Sequence, residues 1–109
     1  METVTTNTQD VALVTDGGSF TVAPGMAILY VGDTITFHNL TKENATVIFP
    51  DPRLFGGSMD NVGPNQKLSK VIPDTFKDFG SYPYAVYYPD RREFAHASMP
   101  IIIIYPRKD

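Results

Sequence analysis

The chain lacks several residue types and patterns on which whole classes of protein depend. Among its 109 residues there is no cysteine and no tryptophan, and only 19% are charged. Without cysteine the protein can form no disulfide, no thiolate metal site and no cysteine nucleophile. The formal net charge of −3 is spread along the chain without runs, so we expect no nucleic-acid or anionic-membrane surface.

Long hydrophobic runs are also absent. The longest apolar run extends from Met99 to Tyr105 and is far too short for a transmembrane helix. Residues 1–15 contain no basic segment followed by a long apolar one, so no signal peptide is visible. We therefore expect either a cytosolic protein or one whose leader has been removed. The length predicts a single domain, residues 1–109, with a hydrophobic core of its own.

Helical periodicity is nearly absent as well. Nine prolines and eight glycines divide the chain into short segments rich in β-branched and aromatic residues. Such segments at this spacing predict an all-β protein, a sandwich or barrel of about eight strands. Prolines and glycines forbid a long helix in residues 51–66, which we expect to be irregular. The predicted strands cover residues 11–15, 19–23, 26–31, 34–39, 46–49, 67–72, 81–88 and 100–105.

Alternation within the strands predicts which side chains are buried. In residues 34–39, Ile35 and Phe37 share one face, while His38 lies on the other face, for which exposure is the default. Isoleucine occupies both faces of the strand 100–105, which predicts a central strand that is covered on both sides. The expected buried anchors of the core are Ile35, Phe37, Phe49, Tyr84 and Ile102.

Three segments together resemble a known family. The first, VGDTITFHNLTKENATVIFPD, contains the turn Gly32-Asp33, an alternating strand, Asn39 and a polar loop. The second is FGSYPYAVYY and the third is HASMPIIII. In order and spacing they resemble the cupredoxins, in which the second segment delivers a copper-binding cysteine and the third contains a His-x-x-Met pair. The likeness extends from Phe20 to Tyr105 and implies a Greek-key β-sandwich in the periplasm or outside the cell.

The copper ligands of that family carry over only in part. The first histidine falls on Ala45 and the cysteine on Val86, and neither side chain has a lone pair to donate. The second histidine falls on His96 and the axial methionine on Met99, but His96 follows Val86 by ten residues, where the family has only a few. A type-1 (blue) copper site needs a thiolate and two imidazoles. The resemblance therefore implies a retained fold, a lost electron-transfer centre and no cofactor.

Each remaining candidate ligand has a second interpretation. His96 is either a leftover ligand or a solvated loop residue, and Met99 is either an axial ligand or a core residue at the start of a strand. His38 is either a further ligand or an exposed side chain. If copper binds at all, we expect weak binding at a non-blue site of His96 and Met99, with or without His38.

No pattern of catalytic residues is visible. The serines lack a Gly-x-Ser-x-Gly context, and there is no His-Glu-x-x-His motif and no paired-carboxylate pattern. We therefore expect that the protein is not an enzyme. Asn39-Leu40-Thr41 and Asn44-Ala45-Thr46 are formal N-glycosylation sequons, which matter only in a eukaryotic secretory route.

The segment after Val86 is longer than a copper-binding loop and is rich in aromatic and basic residues. Five of the six tyrosines lie after residue 80, and tyrosine and arginine dominate binding hot spots. We predict that residues 87–98, with the loop 40–45, contact a protein partner, another domain or another subunit. The alternative is an irregular solvated loop. The candidate contact residues are Tyr87, Tyr88, Arg91, Arg92 and Phe94.

The sequence thus predicts a cupredoxin-like domain without a blue copper site that acts as a binding or structural module. The resemblance implies this role by analogy, because copper-free members such as the ephrin ectodomain are binding modules. The alternative is a copper-binding protein, either a copper carrier or an electron-transfer relative, that uses the non-blue site of His96 and Met99.

Overall fold

The computed structural model of the chain describes residues 6–95 and 99–106. These residues form eleven β-strands and one 3-10 turn, Phe55–Gly57. No helix in the two ranges is long and apolar enough to cross a membrane. The strands are β1 (Thr8–Asp16), β2 (Ser19–Ala23), β3 (Met26–Tyr30), β4 (Thr34–Asn39), β5 (Ala45–Ile48), β6 (Met59–Val62), β7 (Lys67–Val71), β8 (Gly80–Pro83), β9 (Ala85–Tyr88), β10 (Glu93–Phe94) and β11 (Ile101–Tyr105).

These strands confirm the predicted all-β class and the positions of the predicted strands. The predicted strand 81–88 is divided at Tyr84 into β8 and β9, and the sequence does not predict β6 and β10. β6 lies within residues 51–66, so the expectation that this whole segment is irregular is wrong. Its sequence, MDNV, has weak strand propensity, and it becomes a strand because it pairs with β5 and buries Val62.

The strands form three sheets around one core. The first sheet has the order β2-β1-β4-β7, the second β10-β9-β5-β6 and the third β3-β11-β8. β1 pairs with β4, and β3 with β11, in parallel, whereas the remaining pairs are antiparallel. A single hydrophobic cluster contains buried residues from all three sheets. The first sheet therefore packs against the other two. The second and third sheets are connected by the single residue Tyr84, which lies between β8 and β9.

An aromatic cluster forms the centre of this core. The ring centroid of Phe37 lies 5.5 Å from that of Tyr84 and 5.9 Å from that of Phe49, and those of Phe49 and Tyr84 are 5.7 Å apart. Tilted and edge-to-face contacts of this kind add about 0.5–1.5 kcal/mol to the effect of burial. The predicted anchors are confirmed, because at most 1% of each is exposed: Ile35, Phe37, Phe49, Tyr84 and Ile102.

β11 is the central strand of the third sheet, as predicted, but only one of its faces is fully covered. Ile102 and Ile104 are 0% exposed, whereas Ile101 and Ile103 point to the opposite face and are only half-buried. The expectation of complete cover on both sides is therefore wrong. The physical reason is that the core lies on one side of this sheet only.

The buried carboxylate of Asp33 fixes the turn between β3 and β4. Its two oxygens accept hydrogen bonds from the backbone N–H groups of Asn7 and Tyr30, each at 3.0 Å. Only 1% of Asp33 is exposed, and a buried carboxylate of this kind needs such donors. The Gly-Asp turn that contributes to the cupredoxin resemblance thus has a structural role in this chain.

Candidate functional site

The two positions that would supply the first histidine and the cysteine lie in the core. Ala45 is 0% exposed and Val86 2%, and Val86 is paired with Val47 across β5 and β9. Their methyl and isopropyl groups offer no lone pair, so these residues do not fit a type-1 copper site. Within residues 6–95 and 99–106, no three His, Cys, Asp or Glu side chains are grouped to hold a metal ion. His96 lies outside the described residues.

Met99 is not a core residue, so that interpretation of it is wrong. Its side chain is 53% exposed, because Met99 precedes β11, which begins only at Ile101. It lines a pocket of about 280 Å³ together with Phe94 and Pro100. An exposed thioether beside an aromatic ring and a proline is an apolar surface feature.

His38 lies on the outward face of β4, as the alternation predicts, and is half-buried there. Its Nε2 lies 2.8 Å from Oδ1 of Asp10 on the neighbouring strand β1. This pair is a hydrogen bond between an imidazole and a carboxylate at the surface of the first sheet.

The segment after Val86 is a β-hairpin as far as the structure describes it. β9 and β10 pair antiparallel, and the four-residue turn 89–92 is closed by two backbone hydrogen bonds of 3.1 and 3.3 Å. Arg92, in this turn, has a φ of 52°, in the left-handed region. The alternative of an irregular loop therefore does not describe residues 87–95.

Tyr88 belongs to the core, and its prediction as a contact residue is wrong. It is 0% exposed, and its ring stacks on that of Phe20 with the centroids 3.9 Å apart. The reason is strand alternation, because every second residue from Tyr82 to Tyr88 points inwards and Tyr87 points outwards. Burial raises the pKa of the Tyr88 hydroxyl to about 12. This hydroxyl has no hydrogen-bond partner among the described residues.

The other four predicted contact residues lie at the surface of the hairpin. Phe94 is 56% exposed and packs against the half-buried ring of Tyr87 across the strand pair, with the centroids 4.7 Å apart. Arg91 and Arg92 occupy the turn and are both exposed. The hairpin thus presents one aromatic pair and two guanidinium groups.

The loop 40–45 lies against the turn of this hairpin. Asn44 donates a hydrogen bond of 3.1 Å from Nδ2 to Oδ2 of Asp90. The Arg91 guanidinium is 3.9 Å from the Glu43 carboxylate. The two parts of the predicted contact surface therefore lie side by side, and their contact with a partner stays a prediction.

Asn39 determines the shape of the loop 40–45. Its Nδ2 donates hydrogen bonds to the carbonyls of Glu43 (2.8 Å) and Val62 (3.0 Å), and its Oδ1 accepts one from Thr41 Oγ1 (2.6 Å). Because Asn39 is 0% exposed and its amide is bonded in this way, the first sequon is inaccessible in the folded protein. Asn44, in the second sequon, is exposed.

A cleft of about 430 Å³ lies between the loop 40–45, the hairpin turn and the β1–β2 turn. Its walls combine the apolar side chains of Phe20 and Leu40 with charged side chains, two of which, Lys42 and Arg91, are positive. Leu40 is 60% exposed, and the Arg91 guanidinium lies 6.0 Å from the centroid of the Phe20 ring. The cleft therefore offers the apolar surface of Leu40 beside the two cations and the Glu43 carboxylate.

The sequence alone does not reveal that the β1–β2 turn contributes to this cleft. The turn 16–18 is visible as Asp-Gly-Gly, but nothing local indicates what it lies beside. Its position follows from the parallel pairing of β1 with β4, which ends at the start of the loop 40–45. Such pairing between distant segments leaves no signal in either segment by itself.

Several copper proteins of known structure have a similar fold. A Cu(I) form of an amicyanin variant with methionine replaced by alanine matches with a TM-score of 0.58 and 16% identity, over 90% of this chain and 82% of that chain. A purple cupredoxin from Nitrosopumilus maritimus matches with a TM-score of 0.59 and 15% identity, over 89% of this chain and 99% of that chain. No protein-family model and no curated protein sequence matches the chain.

TM-scores of 0.58 and 0.59 establish the fold. Identities of 16% and 15% leave the function open. The aligned region covers about nine-tenths of this chain. The β-sandwich of the chain agrees with the architecture that the resemblance in the sequence implies. The chain therefore has the cupredoxin-like β-sandwich fold.

Proposed function

We propose that the protein is a binding module that contacts a protein partner through the hairpin and the loop 40–45, and that it is neither an electron carrier nor an enzyme. One observation carries this proposal. Where a cupredoxin binds copper, this chain has the buried hydrocarbon groups of Ala45 and Val86, and the segment after Val86 instead forms a hairpin beside an amphipathic cleft. The proposal treats residues 1–109 as one domain, in the periplasm or outside the cell as the resemblance implies.

The chemistry of the cleft indicates what kind of partner segment it would take. Lys42 and Arg91 supply positive charge beside the exposed apolar side chain of Leu40, and Glu43 lines the same cleft. The carboxylates nearest Arg91 lie 3.9 and 4.0 Å away, longer than the about 2.7–2.9 Å of a strong charge-assisted hydrogen bond. A partner carboxylate that approaches more closely can replace them. We expect a segment with an acidic side chain next to an apolar or aromatic one.

The hairpin would add rigid contact area around this cleft. Aromatic side chains such as Phe94 and Tyr87 supply large contact area at a low cost in conformational entropy. A guanidinium group can bind a carboxylate through two parallel hydrogen bonds, and Arg92 lies in the same turn as Arg91. The combination of arginine with aromatic residues is typical of binding hot spots.

The test compares the wild-type protein with the triple variant Arg91→Ala, Arg92→Ala and Phe94→Ala. Tyr88 is left unchanged because it is in the core. Partners are captured by cross-linking in an extract of the native source, and the affinity for the purified partner is then measured by calorimetry. Because hot-spot residues cost about 2 kcal/mol or more on truncation, we expect the triple variant to bind at least about tenfold more weakly.

A control variant removes the same chemistry elsewhere. Lys67→Ala, Lys77→Ala and Phe79→Ala together delete two exposed cations and one phenylalanine of 46% exposure, at positions outside the hairpin and the loop 40–45. We expect this variant to bind like the wild type. Equal binding by the hairpin variant, in protein shown to be folded by circular dichroism, would refute the proposed contact surface.

A further inference from the structure

The outward face of the third sheet is apolar. Side chains alternate along its strands, so that Ala27, Leu29, Ile102 and Ile104 enter the core and the residues between them point away from it. We call these outward side chains of β3, β8 and β11 the outer face. On β3 and β11 all six of them are hydrophobic: Met26, Ile28, Tyr30, Ile101, Ile103 and Tyr105.

These side chains form matched rows and remain open to solvent. Met26 lies beside Ile101 and Ile28 beside Ile103 in the parallel pairing of β3 with β11. Met26 is 53% exposed and Ile28 44%. In the next row Tyr105, 45% exposed, packs against Tyr30 with the ring centroids 6.1 Å apart.

No outward position of the three strands carries a charge. The third strand of the sheet, β8, contributes only Ser81 and Pro83 to the outer face. An antiparallel or mixed sheet that faces water on one side ordinarily has polar side chains there. This face departs from that pattern in every row that the structure describes.

The first sheet of the same chain shows the ordinary pattern. On its outward face the Asp10 carboxylate lies 2.8 Å from His38, and Thr36 and Ser69 share a hydrogen bond of 2.9 Å. The two outward faces of the molecule therefore differ in kind. The first carries hydrogen-bonded polar groups among its outward side chains, whereas the outer face is built mainly of aliphatic and aromatic side chains.

The size of the outer face fits a weak association. Its three strands have four or five residues each. Five residues of extended chain span about 17 Å and three strands about 14 Å, so the face covers roughly 240 Å². A standard interface buries about 800 Å² per partner, so contacts centred on this face suit a dimer that forms at high protein concentration.

We propose that the outer face is the interface of a homodimer, in which the third sheets of two copies pack face to face about a two-fold axis. A two-fold interface places the same surface on both sides, so it must complement itself. A face with rows of hydrophobic side chains and no charge satisfies this condition, because no like charges meet when two copies face each other. Sheets that pack face to face lie about 10 Å apart.

The test measures the molar mass of the purified chain alone, by sedimentation equilibrium from low micromolar to near-millimolar concentration. It requires no partner, so its outcome is independent of the binding function proposed above. We expect the wild-type mass to rise from that of a monomer to that of a dimer. Ile28→Glu should weaken the association at least about tenfold, because it places two carboxylates in a hydrophobic contact.

Two further variants keep the result interpretable. Val71→Glu changes another exposed β-branched residue on an edge strand, 56% exposed, but in the first sheet, and should dimerise like the wild type. Met26→Glu, at the first residue of β3, repeats the test should Ile28→Glu fail to fold. Dimerisation of both Met26→Glu and Ile28→Glu with wild-type affinity, or a wild-type monomer at every concentration, overturns the proposal.

The absence of cysteine allows the interface to be located directly. Single-cysteine variants Ile28→Cys and Val71→Cys each carry one thiol, whose rate of modification by a thiol reagent can be followed. We expect the thiol at position 28 to become protected as the concentration rises, and the thiol at position 71 to react at a constant rate. Protection at position 28 by lipid vesicles, in a chain that stays monomeric, would instead assign the face to a membrane surface and overturn the dimer.

Discussion

Replacement of Phe37 by alanine tests the register of β4 and the composition of the core together. Phe37 is 0% exposed and lies on β4, between β1 and β7 in the first sheet. Its ring makes edge or tilted contacts with Tyr84 and Phe49. Because the core is closely packed, neighbouring side chains cannot easily move to fill the cavity that removal of the Phe37 ring leaves.

The expected loss in the free energy of unfolding is about 4–5 kcal/mol. Burial of the side chain contributes about 1.5–3 kcal/mol. Each of the two ring contacts adds about 0.5–1.5 kcal/mol, and the total agrees with the upper part of the range of about 3–5 kcal/mol for buried Phe→Ala changes. Domains of this kind have about 5–15 kcal/mol of stability, so the variant could unfold. Phe37→Leu, which removes less volume, should lose only about 1–2 kcal/mol.

Denaturant unfolding followed by circular dichroism measures both variants. Phe94→Ala is the matched control, because Phe94 is 56% exposed and should lose no more than about 1 kcal/mol. A loss below about 1 kcal/mol for Phe37→Ala would show that Phe37 faces solvent. In that case the register of β4 is displaced by one residue and the packing described for the core is incorrect.

Two further predictions concern metal binding and the buried tyrosine. With Cu(II), the protein should show no intense thiolate charge-transfer absorption, because it has no cysteine. If calorimetry shows tight stoichiometric copper binding that is lost in His96→Ala or Met99→Ala, the protein is a copper carrier and the metal-free interpretation is wrong. Tyr88→Phe should leave the stability unchanged or raise it by about 1 kcal/mol, because it removes a buried hydroxyl without a partner in the described chain. Folding raises the pKa of Tyr88 from 10.0 to about 12, so the free energy of unfolding should fall as the pH rises through this interval. The fall should be less steep in Tyr88→Phe. If the free energy of unfolding depends on pH identically in the two proteins, Tyr88 is not buried as described.

The sequence by itself determined the fold class, the positions of most strands and the absence of the cysteine that a blue copper site needs. The prolines and glycines that end the strands, and the alternation of hydrophobic and polar residues within them, are local signals. The alternation is strong in β4, where Ile35 and Phe37 are buried as predicted. The conclusion that a blue copper site is absent also depends on single residues, because the side chains of Ala45 and Val86 have no donor atoms in any conformation.

Only the tertiary structure decided which aromatic residues are available to a partner and which sheet face is uncovered. Tyr87 and Tyr88 are adjacent and chemically identical, and the pairing of β9 with β5 and β10 places the first outwards and the second against Phe20. β6 is a strand because β5 lies beside it. The isoleucines of β11 indicate hydrophobic faces, but whether a second layer covers a face depends on segments far away in the chain. These outcomes depend on contacts between distant residues, which no short window of sequence contains.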